Sequence, residues 1–260
     1  MKMEHETSIR FGGISRLYGE AALATLTAAH VTIVGLGGVG SWAAEALVRS
    51  GVGHLTLIDL DDICLSNTNR QIHALKGCYG KLKVEVMAER LSAINPACHI
   101  TPIEDFVTLD RLARYLVPST HYVVDAIDNV KIKVGMIVHC QQVGIPILVI
   151  GGAGGKIDPT QIRMADLAFS HQDPLLAKVR ATLRRNYGFP RKLQKKFKID
   201  CVYSEEPLRY LQEDGTIGLQ KPLKAEARLD CQSGFGTSMA VTASFGLFAS
   251  AHILQKLANR

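Results

Sequence analysis

Two groups of residues in this 260-residue sequence have the types and spacing to hold a polyphosphate. The first is the turn Gly35-Leu-Gly-Gly-Val-Gly40, with Asp59 nineteen residues beyond it. Gly35 allows a tight turn, Gly37 (beside Gly38) lets the backbone come close to a phosphate, and Gly40 lets the following helix pack against a sheet. That helix's N-terminus supplies free N–H donors and a positive dipole end. Asp59 would accept hydrogen bonds from ribose hydroxyls. The second group is Asp61, Ser66, Asn67 and Arg70. An NAD pyrophosphate would not by itself need another acid, an asparagine and an arginine at this place. A triphosphate bound with Mg2+ uses all of them, cations for the phosphates and oxygens for the metal. Farther on, Tyr122-Val-Val-Asp125-Ala-Ile-Asp128-Asn129 is an apolar run ending in acids, where an open parallel sheet places its ligand crevice.

These residues need strands and helices to position them, and the pattern supplies a regular alternation. His30–Val34 reads as a buried strand, Ser41–Val48 as a helix, and Leu55–Asp59 as a second strand. A helix from Glu20 to about Ala29 precedes them, after a polar start. A helix around Lys83 runs to about Ile94, where Asn95-Pro96 stops it. His99–Glu104 reads as a strand, residues 109–116 as a helix, Val130–Val143 as a helix and Ile147–Ile150 as a strand. Gly151-Gly-Ala-Gly-Gly155 is a second flexible turn, where backbone passes close to a substrate. Beyond Ile157 the alternation fades: a turn at Ile157–Thr160, a short strand at Cys201–Ser204, another turn at Glu213–Thr216 and a closing helix from Thr237 to about Leu257. The expected fold is α/β and Rossmann-like, a mainly parallel sheet with helices on both faces plus a less regular C-terminal extension. Residues 1–156 would form the nucleotide-binding core with its N-terminal helices. Residues 157–260 would form a substrate-facing extension packed with it as one domain.

The net charge of +6 is unevenly spread. Nine Lys and Arg residues and no acid lie between Lys178 and Lys198, and without them the remainder is −3. That segment points to an anionic partner. Tyr187, Phe189 and Phe197 are interleaved with the charges, a composition suited to stacking on unpaired bases. Arg184, Arg185, Lys195 and Lys196 are the cations expected to meet phosphates. The six cysteines form no CxxC pair, the nine histidines form no metal-ligand pair, and the first residues carry no apolar signal segment. The expectation is a cytoplasmic chain with reduced thiols. The apolar Met239–Leu254 stretch is short for a membrane span and is broken by Thr242, Ser244 and His252, so a buried helix is expected.

Gly35–Gly40, Asp59-Leu-Asp61 and Ser66-Asn-Thr-Asn-Arg-Gln71 resemble the ATP site of the ubiquitin-activating-enzyme-like adenylyltransferases, the MoeB/ThiF family. Gly80-Lys-Leu-Lys83 is similar to that family's Gly-x-x-Lys segment, and Asp125-Ala-Ile-Asp128-Asn129 to its Asp-x-x-Asp-Asn. The resemblance implies ATP and Mg2+ as cofactors, with Arg70 and Lys83 at the phosphates, Asp128 on the metal and Asn129 beside it. Asp125 is either part of the site or a structural acid. Near the start, Arg10, Arg16, Leu17 and Gly19 match the family, but Gly13 stands where it commonly has an arginine that reaches a neighbouring subunit's ATP.

Longer segments narrow the resemblance: residues 37–47, Asn67–Leu75, 151–160 and Cys231-Gln-Ser-Gly-Phe-Gly236. They are similar to the branch that dehydrates threonylcarbamoyladenosine in tRNA beside the anticodon. The implied reaction adenylates the threonyl carboxylate and closes a ring from within the modification. The implied partners are that tRNA, a second copy of the chain, and a cysteine desulfurase's sulfur-acceptor protein. Cys231 is either a nucleophile near a loop or a small buried residue. Two alternatives remain: adenylation of a small ubiquitin-like sulfur carrier, and an NAD-dependent oxidoreductase, which would not need Arg70 or Lys83.

Overall fold

The computed structural model describes residues 2–192, 194–221 and 235–259, without the side chains of residues 2–5. Cys231 therefore lies outside the described residues. The chain starts with two helices, α1 (Lys2–Tyr18) and α2 (Glu20–Ala28), broken at Gly19. It then alternates through β1 (His30–Val34), α3 (Gly40–Arg49), β2 (His54–Ile58), α4 (Lys83–Ile94) and β3 (His99–Ile103). A single turn, α5 (Leu112–Tyr115), leads to β4 (Tyr122–Asp125), α6 (Val130–Val143) and β5 (Ile147–Ile150). After these come β6 (Ile162–Asp166), α7 (Pro174–Asn186), β7 (Asp200–Ser204), a small hairpin of β8 (Tyr210–Leu211) and β9 (Ile217–Gly218), and α8 (Met239–Ala258).

Among the described residues, seven strands form one sheet in the order β3-β2-β1-β4-β5-β7-β6. All pairings are parallel except β6 against β7. This is the expected α/β class. The extension does not leave the sheet: β7 pairs with β5, Val149 opposite Cys201, and so continues it. Strand β6 is absent from the sequence reading because Ile162-Arg-Met-Ala-Asp166 carries a weak apolar pattern suited to a sheet edge. The polar start is a seventeen-residue helix, and the expected helix at 109–116 is one turn.

Central strands must be apolar on both faces when helices cover both. β1 is buried at all five positions. Its Ile33 joins the core under α2, α3, α4 and α8, with Leu26, Leu47, Met87 and Phe245. Its Val34 joins the opposite core under α6 and α7, with Ile137, Cys140, Val179 and Leu183. Helix α8 buries Val241, Phe245, Ala249 and Ile253 at four-residue spacing, one stripe of a helix. The Ser250 hydroxyl donates to the Ala43 carbonyl at 3.2 Å, tying α8 to α3. No described helix is long and apolar enough to cross a membrane.

Candidate functional site

Strand order reverses at β1: the chain first moves outward through β2 and β3, then returns to lay β4 on the other side. The carboxyl ends of β1 and β4 consequently open a crevice at this switch point. The glycine turn lines it. Gly35 has φ +92, left-handed backbone that favours glycine. A side chain on Gly40 would stand 1.8 Å from the Gly35 carbonyl oxygen. Only glycine lets α3 begin this close to the strand, which aims its N-terminal N–H groups into the crevice.

Asp59, at the end of β2, fixes the turn. One carboxylate oxygen accepts the Leu36 N–H at 2.6 Å and the other accepts the Asp61 N–H at 2.9 Å. Lys83 opens α4 and reaches across to the same place. Its Nζ lies 2.6 Å from Asp61 and 3.9 Å from Asp59, with the lysine side chain 6% exposed and that of Asp61 58% exposed. The buried ammonium is thus held by an aspartate that itself stands in solvent.

Ser66 and Asn67 form a short 3-10 turn with Leu65. Asn67 is buried, and its side-chain oxygen accepts the Cys64 N–H at 3.0 Å. Arg70 donates to the Ser66 carbonyl at 2.9 Å and to the Asn69 side chain at 3.0 Å, and its own carbonyl accepts the Trp42 indole N–H at 2.9 Å. The neighbouring Asn69 amide donates to the Thr237 carbonyl and hydroxyl, at 2.9 and 3.0 Å, just before α8. Gly38 brings its backbone against the Arg70 side chain. So Arg70 is set between the glycine turn and the start of α8.

Across the crevice, Asp128 is exposed. Asn129 caps α6, its side-chain oxygen accepting the Ile132 N–H at 3.1 Å. Asp125 is not at the surface. It pairs with Lys133 at 2.8 Å, both side chains fully buried, and the ammonium also donates to the Asp125 carbonyl at 3.1 Å. Burial pushes the Asp125 carboxyl up, and the Lys133 charge opposes that shift. The pair ties β4 to the first turn of α6 and so holds the loop that carries Asp128. Sequence reading missed Lys133. The available signal was a lysine on the inward stripe of α6, beside Met136 and Ile137.

The second glycine turn, Gly151–Gly155, follows β5 at the same end of the sheet. Asp173 accepts the Gly152 N–H at 2.8 Å and caps α7 through the Leu176 N–H at 2.9 Å. Lys156 is buried and donates to the Glu206 carbonyl at 2.7 Å. Burial lowers its pKa, opposed by Asp173 and Glu206. The Glu206 carboxylate in turn accepts the Ile157 and Asp158 N–H groups, so β7's end and this loop form one unit.

The basic segment lies elsewhere. Helix α7 buries Leu176, Val179 and Leu183, and its charges continue through the loop to β7. That loop meets β7 at its amino end, the end of the sheet opposite the crevice. Phe189 and Phe197 do not face solvent, which corrects the stacking expectation for both. They are 7% and 3% exposed, with ring centroids 5.0 Å apart edge-to-face. Apolar rings spaced among charges pack inward when the loop has a core to cover. Arg184 lies over the Phe197 ring at 5.1 Å and donates to the Pro190 carbonyl at 3.2 Å. Arg185, Lys195, Lys196 and Tyr187 are exposed.

A crevice of this kind, where strand order reverses beside a glycine turn, belongs to the doubly wound nucleotide-binding proteins. Within that class the chain is a member of the ThiF family, whose model matches residues 13–260. It is 51% identical over 249 residues to the tRNA threonylcarbamoyladenosine dehydratase of Escherichia coli, covering 95% of this chain and 93% of that one. The solved structure described as TcdA (CsdL) superposes with a TM-score of 0.89 at 49% identity, over 97% of this chain and 95% of that one. The Escherichia coli tRNA N6-threonylcarbamoyladenosine dehydratase in complex with ATP superposes with a TM-score of 0.85 at 47% identity, with the same coverage.

Proposed function

We propose that this chain catalyses the ATP-dependent dehydration of threonylcarbamoyladenosine in tRNA, beside the anticodon. The observation that carries the reading is the likeness, along nearly the whole chain, to enzymes of that name. The glycine turn and the α3 N-terminus receive the nucleotide, and Asp59 takes its ribose. Lys83 exchanges Asp61 for phosphate, and Arg70 adds a second cation. Both cations neutralise charge that grows on departing pyrophosphate. The residues present fit Mg2+, which keeps several waters and takes one or two carboxylates together with phosphate oxygens. Asp128, exposed at the crevice rim, would hold it, and bound there the ion supplies Lewis-acid polarisation of the phosphates.

In the reaction, a threonyl carboxylate oxygen bonds to the α-phosphorus and the bond to pyrophosphate breaks. A nitrogen of the same modification then bonds to the activated carbonyl carbon and loses its proton, and AMP leaves with the former carboxylate oxygen. The nucleoside has lost one water. Because the nucleophile is internal, no thiolate is required from Cys231. Residues 1–156 serve as the nucleotide core and 157–260 as the substrate-facing part, in a cytoplasmic homodimer with a sulfur-acceptor protein as a further partner. The test is a nucleoside digest of tRNA incubated with the chain and ATP. The expected result is loss of one water from threonylcarbamoyladenosine, with AMP formed. Pyrophosphate exchange driven by a Gly-Gly tail peptide and not by the modified tRNA would replace this reading with sulfur-carrier activation.

A further inference from the structure

Phe189 and Phe197 face the core, but another aromatic pair stands at the crevice end of the sheet. Tyr210 and Phe235 meet with ring centroids 5.5 Å apart and planes inclined at 56°. Phe235 is 49% exposed and Tyr210 is half-buried. The backbone beneath them is fastened to the second glycine turn. The Gly155 N–H donates to the Gly236 carbonyl at 2.8 Å, and the Arg209 N–H donates to the Gly155 carbonyl at 2.9 Å. The Phe235 Cβ lies 2.9 Å from where a side chain on Gly154 would begin, so the ring rests directly on bare backbone. Arg209, the residue before Tyr210, has a side chain 41% exposed whose guanidinium lies 3.1 Å from the buried Glu206 carboxylate.

This patch adjoins the candidate site. Thr237, two residues from Phe235, accepts the Asn69 amide, and Asn69 precedes Arg70. Two residues of chain span at most about 7 Å. The glycine turn under Phe235 also follows β5, whose Val149 pairs with Asp125 of β4.

We infer that Tyr210 and Phe235 form a stacking platform for an unpaired nucleobase of the RNA substrate, next to the reacting adenosine; this rests on the tRNA reading above. Every base has a π face, and aromatic rings are groups that stack on splayed bases. A ring already seated on fixed backbone meets a base with little side-chain ordering left to lose. A Gly-Gly protein tail has no face to stack.

The probe is an anticodon stem-loop RNA with 2-aminopurine next to the modified adenosine, whose emission is quenched when it stacks. The full-length chain should quench it. Phe235→Ala and Tyr210→Ala should each lose quenching and weaken RNA binding roughly 5-fold to 150-fold, while ATP affinity stays at the wild-type value. Phe235→Tyr and Tyr210→Phe should restore both signals, which separates stacking from misfolding. Alanine variants that quench, bind and convert tRNA as the wild type does would overturn the platform and leave the proposed reaction standing. Quenching that the alanine variants abolish, in a chain that dehydrates no tRNA, would support the platform and overturn the reaction. An RNA that the wild-type chain does not quench would overturn the platform.

Discussion

Lys83 and Asp128 occupy opposite electrostatic settings, and their expected phenotypes differ for that reason. Lys83 is buried against the carboxylates of Asp61 and Asp59. Under the proposed reaction, removing it takes a cation away from the phosphates, and it also leaves acids facing one another. Asp128 is exposed at the loop after β4, where surface substitutions usually change stability by less than about 0.5 kcal/mol. Asp128→Asn is therefore predicted to keep the wild-type melting temperature and tRNA affinity while slowing adenylation on the order of 100-fold. Single-turnover AMP formation at several Mg2+ concentrations measures it. An Asn variant with undiminished rate would remove the metal role from this residue.

At the scale of elements, the pair Asp125–Lys133 holds the loop between β4 and α6. Both partners are fully buried at 2.8 Å, and Asp125 Oδ2 has no hydrogen-bond partner among the described residues. Breaking such a pair strands a charge in the interior, at a cost of about 3–5 kcal/mol. Lys133→Met should lose stability on that scale in urea unfolding, and adding Asp125→Asn should recover part of it. A single variant as stable as the wild type would show that the pair is not what fixes the loop.

The other end of the sheet carries a different device. His30, His54 and His99 begin β1, β2 and β3. The His30 and His54 rings stack 3.7 Å apart, and His99 meets His54 edge-on at 4.6 Å. The His30 Nε2 is 2.8 Å from the Thr56 hydroxyl, and His121 Nδ1 accepts the His30 N–H at 3.0 Å. Burial, then repulsion from His54, pushes the His30 pKa down to about 4, and burial also lowers that of His54. The unfolded chain takes up a proton near pH 6.5, whereas folded His30 does so only near pH 4. The stability due to neutral His30 is present above pH 6.5, falls as pH drops through this window and is gone below about 4. The loss is on the order of 3 kcal/mol. His30→Gln should flatten the decline in urea midpoint between pH 7 and 4.5, and an unchanged slope would refute the assignment.

Over the whole molecule, the crevice and the basic segment lie at opposite ends of the sheet. Strands of five residues separate them by roughly 17 Å, a distance that an anticodon arm spans easily. Under the proposed reaction, the RNA presents its reacting base at the crevice and its phosphates along α7 and the loop after it. Arg184 is committed to Phe197 and Pro190, so the exposed cations Arg185, Lys195 and Lys196 are the ones to change. Converting these three to alanine should weaken tRNA binding and lower the log–log salt slope by about 0.7–0.9 for each phosphate no longer neutralised. ATP affinity should not move, because the crevice is remote. Titrations of tRNA at several salt concentrations measure this, and an unaltered slope would make the segment an ordinary solvated surface.

The amino-acid sequence alone determined the strand and helix alternation from His30 to Ile150, because local periodicity and glycine placement act over a few residues at a time. Val130–Val143 and Ile147–Ile150 have the predicted bounds. It also marked the residues of both glycine turns and of the Asp125–Asn129 loop, since each is a short contiguous motif. Which aromatic rings face solvent was decided only by tertiary structure. Phe189 and Phe197 look accessible among nine cations, yet the loop's route back to β7 carries them over the α6–α7 core. Lys133 became half of a buried ion pair because α6 lies beneath β4's last residue. Tyr210 and Phe235, far apart along the chain, were joined by β7 entering the sheet beside β5 and α8 crossing over α3. Burial and pairing of this kind depend on which distant segments share a face, and one-dimensional spacing carries no record of that.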